Sequence, residues 1–195
     1  MSREYFVFGG VEPATGPFPH FGVSTVFKET SAGDILSWFK HTDRWHLTQT
    51  SFYTQYEFSL LDGKLPEEIS WLMDETTVGN VKNIMEERFS VGELELVGLT
   101  AHKLINGHRM GVHNDFIGKN ESHRLVIQLN EDWEQEKGGF LMLFNSRDPK
   151  DVAKIVQPLH NSAVGFEISQ DSFHAVSTVH GFERYTLVYT FNEKL

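Results

Sequence analysis

The chain has 195 residues, of which 39% are hydrophobic, and its formal net charge is −10. This length predicts a single domain with a sizeable core, and the acidic balance argues against nucleic-acid partners, because neutralisation of phosphates dominates such binding. The absence of cysteine excludes disulfides, thiolate metal ligands and cysteine nucleophiles.

The N-terminal residues contain no apolar targeting segment. No apolar run in the sequence approaches the roughly 18 residues of a membrane span. We therefore expect a cytoplasmic protein that does not associate with membranes.

The first half of the chain, residues 1–92, is predicted to mix strands and helices. Weak alternation and a run rich in aromatic residues predict strands over residues 1–9 and 52–61. Residues 13–20 hold three of the six prolines and are predicted to form a loop. A serine cap, a proline near a helix start and apolar residues at helical spacing predict three helices. These helices cover residues 35–40, 65–73 and 78–89.

The second half, residues 93–195, consists of short apolar runs separated by turns, which is typical of a sandwich or barrel. The runs are residues 94–104, 125–129, 140–144, 164–168 and 185–191. We expect one α+β, mainly β domain over residues 1–195. In it, an N-terminal helix and strand layer (1–92) packs outside a β-core (93–195).

His113, Asp115 and His174 are the candidate metal ligands. Residues i and i+2 of a strand point to the same face, so His113 and Asp115 can converge there while His174 reaches the metal from an antiparallel neighbour. Two histidines and one carboxylate suit Fe, Zn, Mn or Ni. His160 and His180 are the rival third ligands. The other histidines are interpreted as surface or structural residues: His41, His46, His102, His108 and His123.

Arg184 follows His174 by ten positions and shares a strand face with Thr186. A guanidinium can bind a carboxylate through two parallel hydrogen bonds, and a neighbouring hydroxyl can add a third. An outward, solvated arginine at a strand start is the alternative for this position taken alone.

The ordered motifs of residues 95–192 resemble the Fe(II)/2-oxoglutarate-dependent oxygenases, in particular the prolyl-hydroxylase-like group. His113-x-Asp115, His174 and Arg184 match the metal triad and the cosubstrate cation of that family. Four further segments also resemble its pattern: Leu129-Asn130-Glu131-Asp132-Trp133, Gly138-Gly139-Phe140-Leu141, Pro158-Leu159-His160-Asn161 and Ser172-Phe173-His174-Ala175-Val176.

The resemblance implies a double-stranded β-helix, or jelly roll, with Fe(II) held at one end by His113, Asp115 and His174. It implies 2-oxoglutarate and O2 as cosubstrates, with ascorbate as a stimulant. The 2-oxoglutarate would chelate the metal and place its C5 carboxylate on Arg184 and Thr186. The reaction would hydroxylate an unactivated C–H bond and release succinate and CO2. Because related halogenases lack the carboxylate ligand, Asp115 favours hydroxylation.

Two positions depart from the family pattern. Gln128 stands where prolyl hydroxylases often carry a tyrosine that binds the C5 carboxylate, and its amide could donate instead. Upstream, Leu104 replaces another common tyrosine, and the adjacent Lys103 could add a cation to the cosubstrate pocket. These differences weaken the inference that proline is the substrate.

The expected substrate is a small molecule, an amino acid or a peptidyl group, prolyl included. It would approach past the N-terminal layer and the loop at residues 116–120. Candidate substrate contacts are Arg109, Asn114, Trp45 and Tyr53, with core packing as the alternative for Trp45 and Tyr53. The alternative function is a cupin-like metal-dependent dioxygenase or isomerase that does not use 2-oxoglutarate and would not need Arg184. A catalytically silent interaction domain is a third possibility, against which the intact triad argues.

Overall fold

The computed structural model describes residues 5–118 and 120–194, and it is mainly β, as the sequence predicts. Its two helices are α1 (Glu29–His41) and α2 (Glu75–Phe89), with short 3-10 turns at Ser70–Met73 and Gln135–Lys137. The strands are β1 (Phe6–Ala14), β2 (His20–Phe27), β3 (His46–Gln49), β4 (Thr54–Ser59), β5 (Leu94–Leu104), β6 (Met110–His113), β7 (His123–Gln128), β8 (Leu141–Phe144), β9 (Val152–Val156), β10 (Ser162–Glu167), β11 (His174–Val176) and β12 (Arg184–Glu193).

The strands form two antiparallel sheets. The larger sheet has eight strands in the order β1-β2-β10-β7-β12-β5-β4-β3, and the smaller has four in the order β6-β11-β8-β9. The N-terminal strands β1–β4 therefore flank the larger sheet on both sides. Within residues 1–92, the strands do not form a layer outside the β-core, because β2 and β4 pair with strands of the core, β1 pairs with β2 and β3 pairs with β4.

Both helices pack on one face of the larger sheet. Apolar residues of α1 and α2 share a buried cluster with alternate residues of β7 and β12, among them Leu125, Ile127, Leu187 and Tyr189. Burial of this kind of surface is the dominant favourable contribution to folding. The intervening residues of β7 and β12 therefore point to the opposite face, away from the helices. Neither helix in the described ranges is both long and apolar enough to cross a membrane.

Several element boundaries differ from the sequence predictions. Helix α1 begins at Glu29, and Ser31, the predicted cap, is a buried residue inside the helix. The predicted helix over residues 65–73 is reduced to the 3-10 turn at Ser70–Met73. Strand β2 starts within the proline-containing segment and continues through residues for which no strand was expected. Residues 1–4 of the first predicted strand lie outside the described residues.

The register of the larger sheet aligns one row of polar residues on its helix-free face. Glu57 of β4 pairs with His102 of β5, His102 pairs with Thr186 of β12, and Thr186 pairs with Gln128 of β7. Paired residues on adjacent strands point to the same side of a sheet. This face of the larger sheet carries the polar groups of the candidate site.

Candidate metal and cosubstrate site

His113, Asp115 and His174 form a compact cluster. One potential ligand atom from each of them lies within 4.8 Å of the others. Nε2 of His113 is 3.3 Å from Oδ1 of Asp115, and Nε2 of His174 is 3.2 Å from Oδ2. The cluster forms because His174, at the start of β11, is the direct antiparallel partner of His113 at the end of β6. The expected placement of His174 on an antiparallel neighbour agrees with this register.

Asp115 reaches the cluster by a route that strand alternation did not predict. Strand β6 ends at His113, so Asp115 lies beyond it, with a φ of +58°. This left-handed conformation is uncommon for a residue with a side chain, although Asp tolerates it better than most. The turn that follows is fixed by Asn114, whose side-chain oxygen accepts a bond from the Phe116 N–H at 3.2 Å. This local turn therefore directs the Asp115 carboxylate toward the two histidines.

Both histidines present the same nitrogen to the cluster. Nδ1 of His113 donates to the Gly111 carbonyl at 2.9 Å, and Nδ1 of His174 donates to the Ser172 carbonyl at 2.8 Å. Because a carbonyl can only accept, each neutral ring must carry its proton on Nδ1. The lone pair of each Nε2 is then free to bind a metal, which is the arrangement that oriented metal-binding histidines use.

Arg124 forms an ion pair with the Asp115 carboxylate. Its Nη1 lies 2.5 Å from Oδ2 of Asp115, and its Nη2 lies 2.6 Å from the carboxylate of Glu121. Burial alone would raise the pKa of Asp115, but the Arg124 guanidinium beside it holds that pKa well below its usual value. Asp115 is thus kept ionised, as a metal ligand must be.

The cluster lies at a cavity of about 230 Å³ between the two sheets. Aromatic side chains frame the histidines, with the Phe52 ring 5.4 Å from the His113 ring and the Phe166 ring 4.9 Å from the His174 ring. The polar and charged residues of the lining are Tyr53, Gln55, Glu57, His102, His113, Asp115, Arg124, His174, Arg184 and Thr186.

Arg184 is a buried cation in this lining. Its Nε donates to the Gly139 carbonyl at 2.8 Å, and no acidic side chain within residues 5–118 and 120–194 forms an ion pair with it. Burial lowers the pKa of Arg184 to about 10, so the guanidinium remains charged at neutral pH. Since a buried charge without a partner is costly, this position is suited to a bound anion.

The Gly138-Gly139 and Leu129-Asn130 segments position Arg184. Both glycines have positive φ, and a side chain on Gly139 would come within 2.9 Å of Cδ of Arg184. Asn130 accepts the N–H of Tyr185, the next residue along β12, at 2.7 Å. Trp133 donates to the Gly138 carbonyl at 2.8 Å and thereby joins the two segments. These motifs support the cation without contacting the candidate metal ligands.

Thr186 and Gln128 lie side by side on the same face as Arg184. Both are buried, with 1% and 0% of their surface exposed. The amide nitrogen and oxygen of Gln128 have no hydrogen-bond partner in the described part of the chain. Gln128 does not itself line the cavity. Its unpaired amide is nevertheless available to a polar ligand or a water near Thr186.

Lys103 does not point toward this cavity, contrary to the expectation from the sequence. It alternates with His102 and Leu104 on β5, both of which line the cavity. Its Nζ instead lies over the rings of Trp45 and Tyr56, at 4.9 and 5.0 Å from their centroids. This cation–π arrangement on the helix-side face places Lys103 outside the cavity.

The remaining predicted residues are the four candidate substrate contacts, the two rival histidines and the loop at residues 116–120. Of the four candidate substrate contacts, Tyr53 lines the cavity, whereas Trp45 packs among Phe39, Phe58 and Tyr185. Arg109 faces a different groove, and Asn114 donates to the Gln170 carbonyl. His160 approaches Glu29, and neither His160 nor His180 belongs to the metal cluster. Lys119 of the loop at 116–120 lies outside the described residues.

Sequence reasoning missed four polar residues of the cavity. Gln55, Glu57 and Arg124 were not considered, and His102 was interpreted as a surface or structural residue. Burial, which outweighs the charge of Glu57, lowers the pKa of His102 to about 4, so its ring is neutral at physiological pH. The alternation of side chains along the strands could have indicated two of these residues. Arg124 shares its strand face with Gln128, and His102 is directly opposite Thr186.

The fold and cluster define a candidate mononuclear metal site of the 2-His-1-carboxylate class, with a buried cation in the same cavity. Residues 99–190 match the sequence model of the 2OG-Fe(II) oxygenase superfamily. The matched region contains the metal cluster and Arg184, so this part of the chain is similar to a superfamily whose members depend on Fe(II) and 2-oxoglutarate. No protein of curated function matches the sequence.

Solved structures share the fold at low sequence identity. A prolyl-4-hydroxylase from Pseudomonas putida has a TM-score of 0.74 and 15% identity, covering 90% of this chain and 93% of its own. A Trichoplax adhaerens prolyl hydroxylase bound to a hypoxia-inducible-factor peptide has a TM-score of 0.67 and 12% identity, covering 89% and 83%. The collagen prolyl hydroxylase of Paramecium Bursaria Chlorella virus-1, solved with 2OG, has a TM-score of 0.62 and 11% identity, covering 90% and 96%.

Proposed function

We propose that this protein is an Fe(II)- and 2-oxoglutarate-dependent dioxygenase that hydroxylates an unactivated C–H bond and releases succinate and CO2. In this proposal residues 1–195 form one domain whose two sheets make a jelly roll. The observation that carries it is the coexistence, in one cavity, of the His113, Asp115 and His174 cluster with an unpaired, buried Arg184.

The metal would be Fe(II), held by Nε2 of His113, Nε2 of His174 and the carboxylate of Asp115. The fixed Nδ1 protons and the ionised carboxylate support this ligand set. When bound, the iron and 2-oxoglutarate supply the oxidising chemistry that inserts oxygen into the substrate. A 2-His-1-carboxylate set leaves the opposite face of the metal open for these partners.

Arg184 would bind the C5 carboxylate of 2-oxoglutarate through its two terminal nitrogens, because its Nε is already engaged by Gly139. Thr186, two residues along the same strand face, would add a hydroxyl. The unpaired amide of Gln128, beside Thr186, supports a role as a further donor, directly or through a water. Apolar side chains of the lining would keep bulk water from the space between the metal and Arg184; they are Leu141, Val126, Val188 and Phe166.

The substrate in this proposal is a small molecule, an amino acid or a peptidyl group. The peptide-bound prolyl hydroxylase from Trichoplax adhaerens, which shares the fold, supports the inclusion of peptidyl substrates. Tyr53, Phe52 and Phe116 lie on the segments around His113 and Asp115, and Phe52 and Phe116 are 44% and 38% exposed. They are the side chains that an approaching substrate would meet.

Turnover of 2-oxoglutarate tests the proposal. The purified protein is incubated with Fe(II), ascorbate and 2-oxoglutarate, and amino acids and peptides are screened for products heavier by one oxygen atom. We expect succinate to form in step with the hydroxylated product. A product that forms equally without 2-oxoglutarate would instead support the cupin-like dioxygenase or isomerase.

A further inference from the structure

Glu57 places a carboxylate in the cavity wall without a cation beside it. Its Oε1 accepts a hydrogen bond from the Thr48 hydroxyl at 2.8 Å, and its Oε2 accepts one from the Gln55 amide at 2.5 Å. Glu57 forms no ion pair within residues 5–118 and 120–194. Two neutral donors therefore fix the carboxylate, and each oxygen keeps a lone pair for another donor.

The basic residues of the same cavity do not neutralise Glu57. His102, its direct partner across β4 and β5, stays uncharged because burial lowers its pKa to about 4. Arg124 is already bound by two carboxylates, those of Asp115 and Glu121. Arg184 is the cation that the proposed function assigns to 2-oxoglutarate.

Each cation of the loaded site already has an anionic partner other than Glu57. Asp115 and 2-oxoglutarate would hold the metal, Arg124 is bound by Asp115 and Glu121, and Arg184 would bind the C5 carboxylate. Of the two carboxylates in the lining, Asp115 and Glu57, Glu57 is the one without an ion pair in the described residues. A partly buried carboxylate in such a site is stabilised by a cation that arrives with the substrate.

From this arrangement, which rests on the proposed function, we infer that Glu57 binds an ammonium or guanidinium group of the substrate. Tyr53 lies on the same strand face two residues before Gln55 and four before Glu57, and it also lines the cavity. A phenol ring beside a carboxylate is a favourable surface for a cation. The substrate class is therefore a basic amine: an amino acid with a free ammonium group, or a lysyl or arginyl side chain.

The test compares probes that differ in their positive charge. The pairs are L-lysine with its diacetyl derivative, L-proline with N-acetyl-L-proline, and L-arginine with N-acetyl-L-citrulline. Binding of each probe to the protein loaded with Co(II) and 2-oxoglutarate is measured by calorimetry. For at least one pair we expect the cationic probe to bind tenfold or more tightly, since a charge-assisted hydrogen bond in a partly buried site discriminates by about this much.

The isosteric variant Glu57→Gln keeps a hydrogen-bonding side chain of the same shape but removes the charge. We expect it to reduce the preference for the cationic probe to less than about threefold. The exposed control Glu95→Gln, on β5, should keep the wild-type preference. A merely structural Glu57 would weaken both members of a pair equally.

Two results would overturn the inference. One is a preference for the cationic probe that survives in Glu57→Gln, and the other is the absence of any cationic preference in a wild-type protein that binds 2-oxoglutarate. Failure of the wild-type protein to bind 2-oxoglutarate would instead contradict the proposed function. Measuring 2-oxoglutarate binding first therefore separates the two failures.

Discussion

Replacement of Arg184 by glutamine is predicted to weaken 2-oxoglutarate binding strongly. Arg184 is 2% exposed, and its terminal nitrogens have no acidic partner in the described residues. Truncating one partner of a buried, hydrogen-bonded charge pair costs about 2–5 kcal/mol. Each 1.4 kcal/mol is a factor of ten, so the dissociation constant should rise roughly 30- to 4,000-fold.

The lower part of this range is the better expectation for Arg184→Gln. Thr186 and the metal would still contact the cosubstrate, and the introduced glutamine side chain could keep one neutral hydrogen bond. We therefore expect an increase of about a hundredfold. The variant Arg184→Lys keeps the charge but loses the planar fork, and it should fall between the wild-type protein and Arg184→Gln.

The assay is calorimetric titration of 2-oxoglutarate into the Mn(II)-loaded protein without oxygen. The exposed Arg147→Gln serves as the control, because it removes the same charge far from the cavity lining. The affinity of each variant for Mn(II) is measured separately, and it should stay near that of the wild-type protein. A dissociation constant for 2-oxoglutarate within threefold of wild type in Arg184→Gln would refute the reasoning.

Three further predictions concern residues around the site. Arg124→Gln removes the partner of Asp115 and should weaken Co(II) binding 10- to 100-fold; an unchanged affinity would show that Asp115 needs no such support. Lys103→Met should leave 2-oxoglutarate affinity within about twofold and lower the free energy of unfolding by about 0.5–1 kcal/mol. A large loss of affinity would instead show that Lys103 contacts the bound 2-oxoglutarate. Burial lowers the pKa of His123 to about 4, so the folded state resists its protonation. The destabilisation caused by His123 should therefore grow as the pH drops below the unfolded value of 6.5 and level off near 4. Chemical denaturation of the wild-type protein and His123→Gln should show a shallower decline of stability over this range in the variant.

The clustering of His113, Asp115 and His174 in one cavity with Arg184 could be predicted from the sequence, because ordered motifs carry these residues. The geometric reason offered for His113 and Asp115 was wrong, however, since Asp115 lies outside the strand in a left-handed conformation. Such a turn has no periodic signal in the sequence. The position of His174 opposite His113 depends on pairing between segments far apart in the chain, which the sequence suggests only as a possibility.

The orientation of β5 shows where a signal was present but unused. Lys103 shares its alternation with Leu99 and Ala101, which are buried in the cluster that includes both helices. His102 belongs to the opposite set, which faces the cavity. Assigning the apolar set to the core would have excluded Lys103 from the pocket and included His102. The membership of β1–β4 in the larger sheet had no comparable local signal, because it depends on long-range pairing.

The most direct test of the central claim is anaerobic titration of 2-oxoglutarate into the Fe(II)-loaded protein, followed by visible absorption spectroscopy. Chelation of Fe(II) by a 2-oxo acid produces a charge-transfer band, so the band reports the metal and the cosubstrate together. We expect the band to appear with one equivalent of iron in the wild-type protein and to be lost in His174→Ala. Absence of the band in the wild-type protein, or an unchanged band in His174→Ala, would contradict the account.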